Sequence, residues 1–472
     1  MSEIARPAGA TRPVLWKIPG LGWWAILFLV LAIGVLTGNW IVAGGVLTVI
    51  LVQRARPLDF LSTSLLVIFG AAFVAYEAGQ LTYQLTLLLM GSLFMLLCYS
   101  VPRGLPTWIL HRTPLTIPLL AYLVLTLANF VRGILLGNAV NYAGLELVAV
   151  FALATSLLHA NRLTERRDIQ IASFALLALG FAQSIFGLYT FSVVRVRIGG
   201  VYFTPLPGLV ALLCVNMALR APRLQTSLLW LAASTLLVLH QFLSFTRGYW
   251  LGMFAGLAFT FVTYGGRGKG AGQRWSQVGL MLSLLFGFGV FGVIVLAAKF
   301  GIEGIFKSAA TRLGSSLGTT YGKETASNVV RLVEYFTALG HVAKSPFIGQ
   351  GLGFSFIVRE PIGFTLIKQW YVHENYLLVL LKQGLVGLSI FVWMIVSAVV
   401  TGARSSRNPD PWWGAWCGTA AAATVFLAVA SLSHFPFSEV TCTFLLALLW
   451  GGAMRAGSRG EIRFGWRESR QS

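Results

Sequence analysis

Charged residues are scarce in this chain. They make up 11% of its 472 residues, whereas 57% of the residues are hydrophobic. Soluble globular domains carry about 25% charged residues, so this composition excludes an ordinary water-soluble fold. Disordered chains are poor in apolar residues and rich in charge, so disorder of the whole chain is excluded as well. The composition instead indicates a protein with many membrane-spanning segments.

Cysteine and aspartate are also few. The four cysteines, Cys98, Cys214, Cys417 and Cys442, all fall inside apolar runs, and their spacing indicates neither a disulfide framework nor a metal site. The chain has only three aspartates, Asp59, Asp168 and Asp410, and the topology derived below places all of them on the inner side. Because Mg²⁺ and Mn²⁺ need oxygen ligands, the sequence predicts no metal site on the outer face, and it predicts no cofactor.

Apolar runs long enough to cross a bilayer recur along the whole chain. A spanning helix needs about 20 apolar residues, and helices are the expected spanning elements because lipid satisfies no backbone hydrogen bonds. We therefore predict an all-α polytopic membrane protein with about 12–14 transmembrane helices. The predicted spans start near residues 21, 40, 58, 81, 114, 141, 168, 205, 225, 248, 277, 374, 412 and 440.

The net charge of +20 is concentrated in the short loops of one side. Loops rich in Lys and Arg remain in the cytoplasm, so we expect both termini to be cytoplasmic. The charge thus reports topology, and we expect no nucleic-acid partner. The predicted regions are N-terminal transmembrane helices in 1–299, an outer loop in 300–372, C-terminal transmembrane helices in 373–454 and a basic cytoplasmic tail in 455–472.

The outer loop is long and has its own pattern. Between Ser327 and Lys344 apolar residues recur at helical spacing, which predicts an amphipathic helix near the outer membrane surface. The glycine-rich segment 345–353 follows, and it predicts a tight turn that returns the chain to the membrane. A phosphate-binding loop is the alternative, although its spacing matches neither a dinucleotide nor a P-loop fingerprint.

Few polar residues of the outer side are able to carry chemistry. His373 lies at the mouth of the span that follows the loop, and histidine can act as a general base near neutral pH. Arg247 lies between two predicted spans, and Arg331 lies on the amphipathic helix. Simpler explanations stay open for all three. They are an interfacial histidine beside aromatic residues, a snorkelling arginine and a surface ion pair between Arg331 and Glu334.

Further cations extend this set. Arg195 and Arg197 occupy alternate positions of an extended outer segment, so they point the same way. Arginine forks match phosphate oxygens, so the outer cations indicate an anionic, lipid-linked substrate with a phosphate or diphosphate. Lys382 lies about 13 Å beyond His373 along the same predicted helix, at 1.5 Å per residue. A charge at that depth should face the bundle interior, and we expect Lys382 either to bind the lipid carrier or to snorkel.

Several short motifs follow one another in a fixed order on the outer side. They are Arg197-Ile198-Gly199, then Thr246-Arg247, then Arg331 on a helix ending in Lys344-Ser345-Pro346-Phe347, then His373-Glu374-Asn375, Gly384 and Gly387. This order resembles the bacterial O-antigen ligase family, within the wider O-antigen polymerase and ligase superfamily. The resemblance covers residues 170–450 approximately, and the residues before 160 resemble the family only in being apolar spans.

The resemblance implies a GT-C-like helical bundle in the bacterial inner membrane, with one large periplasmic loop that contains amphipathic helices. It implies a membrane glycosyltransferase of lipopolysaccharide biosynthesis that needs no metal. The donor would be an undecaprenyl diphosphate-linked glycan, and the acceptor a sugar hydroxyl of lipid A–core, with membrane lipids around both. By the same resemblance His373 is the general base in a periplasmic site. Arg247 and Arg331 match the catalytic arginines, and Arg197, or Arg195 in its place, matches a further basic position.

Two alternatives remain. An O-antigen polymerase or a protein O-oligosaccharyltransferase of the same superfamily would use similar donors with another acceptor. A transporter of lipid-linked glycans belongs to a different class, and transporters place ionisable groups near the bilayer midplane and often contain paired broken helices. Glu146 and Lys382 are the intramembrane candidates, whereas the outer cluster of Arg and His favours chemistry at the membrane surface.

Overall fold

The computed structural model of the chain describes residues 108–194, 205–244, 246–265, 279, 323–359 and 366–464. These residues are mostly helical. The helices are α1 (Thr116–Leu135), α2 (Val140–Ala154), α3 (Ser156–Arg162), α4 (Arg166–Val194), α5 (Pro205–Arg220), α6 (Leu224–Leu243), α7 (Arg247–Gly265), α8 (Lys323–Val342), α9 (Asn375–Ser405), α10 (Pro411–Ala430) and α11 (Val440–Ala456). The strands are β1 (Trp108–His111), β2 (Phe356–Arg359), β3 (Leu366–Gln369) and β4 (Glu461–Phe464).

Six segments within the described ranges are long and apolar enough to cross a membrane. They are Thr116–Leu135, Val140–Arg162, Arg166–Ile185, Leu224–Leu243, Asn375–Ser405 and Pro411–Ala430. Each begins close to a start that the sequence predicts, and the chain is therefore a helical, multi-pass membrane protein. The predicted spans that start near residues 21, 40, 58, 81 and 277 lie outside the described residues.

Helix α10 lies at the centre of the bundle, where it packs against α5, α7, α9 and α11. The alanine run 420–423 is fully buried, and Gly402 of α9 lies so close to Cys417 and Ala421 that a methyl group would clash there. Lipid tails are as apolar as leucine, so helices in a membrane associate through close packing of small residues. The small side chains of α10 thus explain its central position.

The bundle has two ends, separated by the length of α10. At its first end, Asp410 caps α10 by accepting hydrogen bonds from two backbone N–H groups and lies 3.5 Å from Arg166. We call this the Asp410 end. The opposite end, where α8, β2, β3 and the start of α9 lie, is called the His373 end. Among the described residues, the segments predicted to be inner lie at the Asp410 end and those predicted to be outer lie at the His373 end, while the side that faces the cytoplasm stays a prediction.

A short strand pair joins two distant parts of the chain. β1 pairs antiparallel with β4, with Trp108 opposite Phe464 and His111 opposite Glu461. The backbone N–H of Arg112 donates to the carbonyl of Gly460 and extends the pairing. The beginning of the predicted tail, 455–472, is therefore ordered, which the charge pattern does not indicate.

At the His373 end, α8 and the β2–β3 hairpin pack on the first turns of α9. Their shared core consists of Ala338, Val342, Phe356, Val358, Val372, Leu377, Leu378 and Leu381. The helix predicted from Ser327 to Lys344 is present as Lys323–Val342. The apolar spacing predicts a face formed by Val329, Val330, Val333, Phe336, Leu339 and Val342. The buried face differs from it, because Phe336 is 63% exposed while Glu334 is buried.

Helix α9 is broken at Gly384, whose φ of 68° and ψ of −168° are not helical. The 31 residues of α9 extend about 46 Å, more than the roughly 30 Å of a hydrocarbon core. The part after the break, 385–405, extends about 31 Å and is long enough to cross the membrane alone. The nine residues before the break belong to the His373 end.

The glycine-rich segment 345–353 fills this break. Leu381 and Lys382 offer their carbonyls to the N–H groups of Gln350 and Gly351, at 2.8 and 2.9 Å. The N–H groups of Leu385 and Val386 donate to the carbonyls of Pro346 and Phe347, at 2.8 and 3.2 Å. The loop thus replaces the hydrogen bonds that the break removes from the helix. The predicted turn is confirmed, and its N–H groups bind protein oxygens rather than forming a phosphate cradle.

Candidate active site

His373 and Glu334 form the central contact of the His373 end. The Nδ1 atom of His373 lies 2.8 Å from Oε2 of Glu334, and the backbone N–H of His373 donates to Oε1 at 2.7 Å. The Glu334 side chain is 2% exposed, whereas that of His373 is 30% exposed. One buried carboxylate therefore holds both the main chain and the ring of a histidine that solvent reaches.

This contact selects the tautomer of the neutral imidazole. An ionised carboxylate only accepts hydrogen bonds, so Nδ1 of His373 carries a hydrogen, and in the neutral ring Nε2 then keeps its lone pair. A histidine held in this form is suited to accept a proton at Nε2, and the carboxylate then stabilises the imidazolium that results. The geometry thus provides a general base with its orienting group.

A small pocket with a volume of about 60 Å³ surrounds the histidine. Its lining residues are Arg331, Glu334, Tyr335, Val372, His373, Glu374 and Ser433. They come from three places in the chain: helix α8, the segment before α9 and the turn after α10. The ring of His373 also contacts Tyr371 and Phe435, with centroids 5.4 and 6.2 Å away. The base therefore sits in a partly aromatic, partly charged recess.

Two carboxylates and one guanidinium set the charge of this pocket. Burial raises the pKa of Glu374 above its ordinary value, and the negative charge of Glu334 raises it further. The charges of Arg331 and His373 act in the opposite direction. Arg331 and Glu374 thus interact electrostatically, and Glu334, which the sequence offers as a surface ion-pair partner of Arg331, is buried.

The beginning of helix α7 is packed beside the pocket. Gly248, Gly252 and Gly256 lie on one face of α7, and a methyl group at Gly248 would clash with Ser433 and His434. The rings of Tyr249 and His434 stack with centroids 4.9 Å apart. Glycines four residues apart allow helix backbones to approach closely. They hold the first turn of α7, which begins at Arg247, against the pocket residue Ser433.

The same turn after α10 also fixes the start of α9. The backbone N–H of Asn375 donates to the carbonyls of Ser431 and His434, at 3.0 and 3.1 Å. The hydroxyl of Ser438 donates to Oδ1 of Asn375 at 3.3 Å. These bonds place the residues just after His373, while Glu334 places His373 itself.

Lys382 lies away from the pocket, in the interior of the bundle. It is 3% exposed, as the sequence predicts for a charge at that depth. Its Nζ lies 2.6 Å from Oε1 of Glu146 and donates to the carbonyls of Phe354 and Trp370, at 2.6 and 2.8 Å. Three protein oxygens thus lie within 2.8 Å of its Nζ. A role in binding substrate stays a prediction for Lys382.

The structure brings together His373, Arg331 and the helix start at Arg247, three residues that the sequence singles out. Arg195 and Arg197 lie outside the described residues. The sequence reasoning missed Glu334 as a site residue. A signal for it exists, because Glu334 precedes Ala338 and Val342 by four and eight residues and thus shares their buried face. An acidic residue on a buried helix face needs a partner.

Among the residues that the structure describes, no group of three or more His, Cys, Asp or Glu side chains is placed to hold a metal ion. Comparison of the sequence with known protein families and with curated proteins gives no match. The function is therefore inferred from the chemistry of the pocket.

Proposed function

We propose that this protein is an O-antigen ligase. It transfers a glycan from undecaprenyl diphosphate to a sugar hydroxyl of lipid A–core, on the periplasmic side of the bacterial inner membrane. The observation that supports this most is the His373–Glu334 pair, which faces a pocket containing Arg331 at one end of a multi-pass bundle. A base and a phosphate-binding cation in one membrane-surface recess suit a lipid-linked diphosphate donor.

The proposed reaction is a single displacement. Nε2 of His373 takes the proton of the acceptor hydroxyl while its oxygen attacks the anomeric carbon of the donor. The bond between that carbon and the diphosphate oxygen breaks, its electron pair leaves with undecaprenyl diphosphate, and the configuration at the carbon inverts. Glu334 stabilises the imidazolium that forms, because it already accepts the Nδ1 hydrogen.

The arginines act on the leaving group in this proposal. Arg331 lines the pocket, and Arg247 begins a helix that packs against its rim. Their charges stabilise the negative charge that develops on the departing diphosphate. Arg195 and Arg197 bind the same donor, and the helices form a GT-C-like bundle. No general acid is needed, because a diphosphate leaves readily.

The test is a transfer assay with purified protein, an undecaprenyl diphosphate-linked glycan and lipid A–core, with EDTA present throughout. The readout is glycan attached to lipid A–core. We expect product from the unaltered protein and a loss of about 10²- to 10⁴-fold in kcat for His373→Ala. His341→Ala is the matched control, since His341 lies on the same helix as Arg331 and packs against Phe354, and it should retain activity.

Other outcomes redirect the proposal. Equal product from His373→Ala and the unaltered protein would remove the base and contradict the mechanism. Product that needs a divalent metal would contradict metal independence. Transfer to a glycan repeat or to a protein, but not to lipid A–core, would favour a polymerase or a protein O-oligosaccharyltransferase of the same superfamily.

A further inference from the structure

A buried ion pair joins three parts of the chain near the proposed base. Oε1 of Glu146 in α2 lies 2.6 Å from Nζ of Lys382 as an ion pair, and Oε2 accepts a hydrogen bond from the backbone N–H of Gly353 at 2.9 Å. Lys382 also donates to Phe354 and Trp370. The pair thus connects α2, α9 and the two ends of the segment 354–370, which contains the β2–β3 hairpin.

One of these contacts lies three residues before His373. The ring of Trp370 stacks on Tyr142 of α2 with centroids 5.3 Å apart and planes inclined by 8°. Its carbonyl binds Lys382, and Val372 is 2% exposed in the shared core. The segment 370–374 is therefore attached to the bundle at its beginning by Lys382 and at its end by Glu334.

Both charges of the pair are buried, with side chains 4% and 9% exposed. Burying two charges costs little folding free energy only while each charge keeps its partners, and removing one charge leaves the other uncompensated. A well-packed neutral replacement of both is much less costly. The pair is thus suited to hold the segment in one place rather than to exchange protons with solvent.

We propose that the Lys382–Glu146 pair is a positioning device that fixes the segment 370–374 and thereby the imidazole of His373. This inference rests on the proposed function, in which His373 is the base. It assigns Lys382 to the protein's own backbone and not to the lipid carrier. The two roles differ in kinetics, because a positioning residue affects kcat whereas a carrier-binding residue affects donor affinity.

The experiment uses the full-length protein in lipid nanodiscs, with Lys382→Met, Glu146→Gln and the double variant. Backbone hydrogen–deuterium exchange followed by mass spectrometry reports the segment directly, without any enzymatic activity. In each single variant we expect exchange about tenfold faster at residues 370–374, where the amide of His373 is protected by Glu334, and unchanged exchange in α10. Arg166→Met is the matched control, because it removes an exposed ion pair at the Asp410 end.

The double variant keeps the test valid if a single variant does not fold. It leaves no charge uncompensated, so it should fold, yet it should still show faster exchange at 370–374. In the transfer assay the variants should lose about 10- to 100-fold in kcat, with the donor KM within about twofold of the unaltered value.

Two results would overturn the proposal. Exchange at 370–374 equal to that of the unaltered protein would show that the pair does not hold the segment. A raised donor KM with unchanged kcat would return Lys382 to substrate binding. Failure of the proposed function appears separately, as full activity of His373→Ala, and leaves the exchange measurement interpretable.

Discussion

A single side chain, Glu334, has the greatest influence on the chemistry of the pocket. Burying a carboxylate is unfavourable unless hydrogen bonds replace its hydration. Both oxygens of Glu334 are hydrogen-bonded to His373, at 2.7 and 2.8 Å. The residue that offsets the free-energy cost of burying Glu334 is therefore also the proposed base. The same contact therefore contributes to the stability of the folded chain and to the orientation of the ring.

Replacement of Glu334 by glutamine should reduce turnover. An amide has one accepting oxygen, whereas His373 presents two donors, so one hydrogen of His373 faces the amide NH₂ group or the ring changes tautomer. For Glu334→Gln we expect kcat to fall about 10²- to 10⁴-fold with the donor KM unchanged. The measurement is the dependence of transfer rate on donor concentration.

Glu374→Gln is the control for this change. It removes a carboxylate from the same pocket without touching the bonds to His373, so its effect on kcat should be much smaller. Rates for Glu334→Gln within about twofold of the unaltered protein would contradict an orienting role.

Among the elements, α9 and the loop 345–353 form one unit. The loop carries three residues with positive φ, Gly349, Gly351 and Gly353, and the helix carries Gly384. The backbone groups on the two sides of the break bond to each other, so neither element keeps its conformation without the other.

Substitution of Gly384 by alanine should destabilise this unit. Its φ and ψ lie in a region used almost only by glycine, and strain there costs about 1–3 kcal/mol. A methyl group would also clash with the carbonyl of Phe347. We expect a lower midpoint of thermal unfolding for Gly384→Ala, measured by tryptophan fluorescence in nanodiscs.

Gly340→Ala is the matched control. Gly340 lies within α8, and a methyl group there meets no neighbour within 4 Å, so alanine should stabilise the helix by about 0.5–1 kcal/mol. Equal midpoints for the two variants would mean that the break in α9 tolerates a side chain.

At the scale of the whole molecule, the two ends of the bundle differ in their contacts and in their predicted side. The Asp410 end holds Arg166, the β1–β4 pair and the ends of α9 and α11, where Ser405 donates to the carbonyl of Ala453 at 2.9 Å. The His373 end holds the pocket. The charge bias of the loops predicts that the Asp410 end faces the cytoplasm and that the His373 end faces the periplasm.

Labelling with a membrane-impermeant maleimide tests this orientation. Lys344 and Lys368 are exposed at the His373 end, and Arg407 is exposed near the Asp410 end. In intact cells we expect Lys344→Cys and Lys368→Cys to react and Arg407→Cys to react only after permeabilisation. The described native cysteines are buried and should give little background. The opposite pattern would reverse the topology and place the pocket in the cytoplasm.

The sequence predicts the elements better than the site. Spans and helix α8 follow from hydrophobic patterns that are local, and they begin within a few residues of their predicted starts. Glu334 and His373 are 39 residues apart, and Glu146 is farther still from Lys382, so these pairs depend on how the helices pack. The break at Gly384 cannot be recognised in the sequence either, because glycine is common in unbroken membrane helices.

The pairing of β1 with β4 also depends on the order in which the chain is synthesised. Ribosomes make Trp108–His111 before any of the helices α1–α11, and they make Glu461–Phe464 after all of them. Strand β1 therefore has no partner while every described span between β1 and β4 is synthesised and inserted. The two-stranded sheet can close only after β4 has been synthesised, so the finished strand pair marks a chain whose translation has passed residue 464.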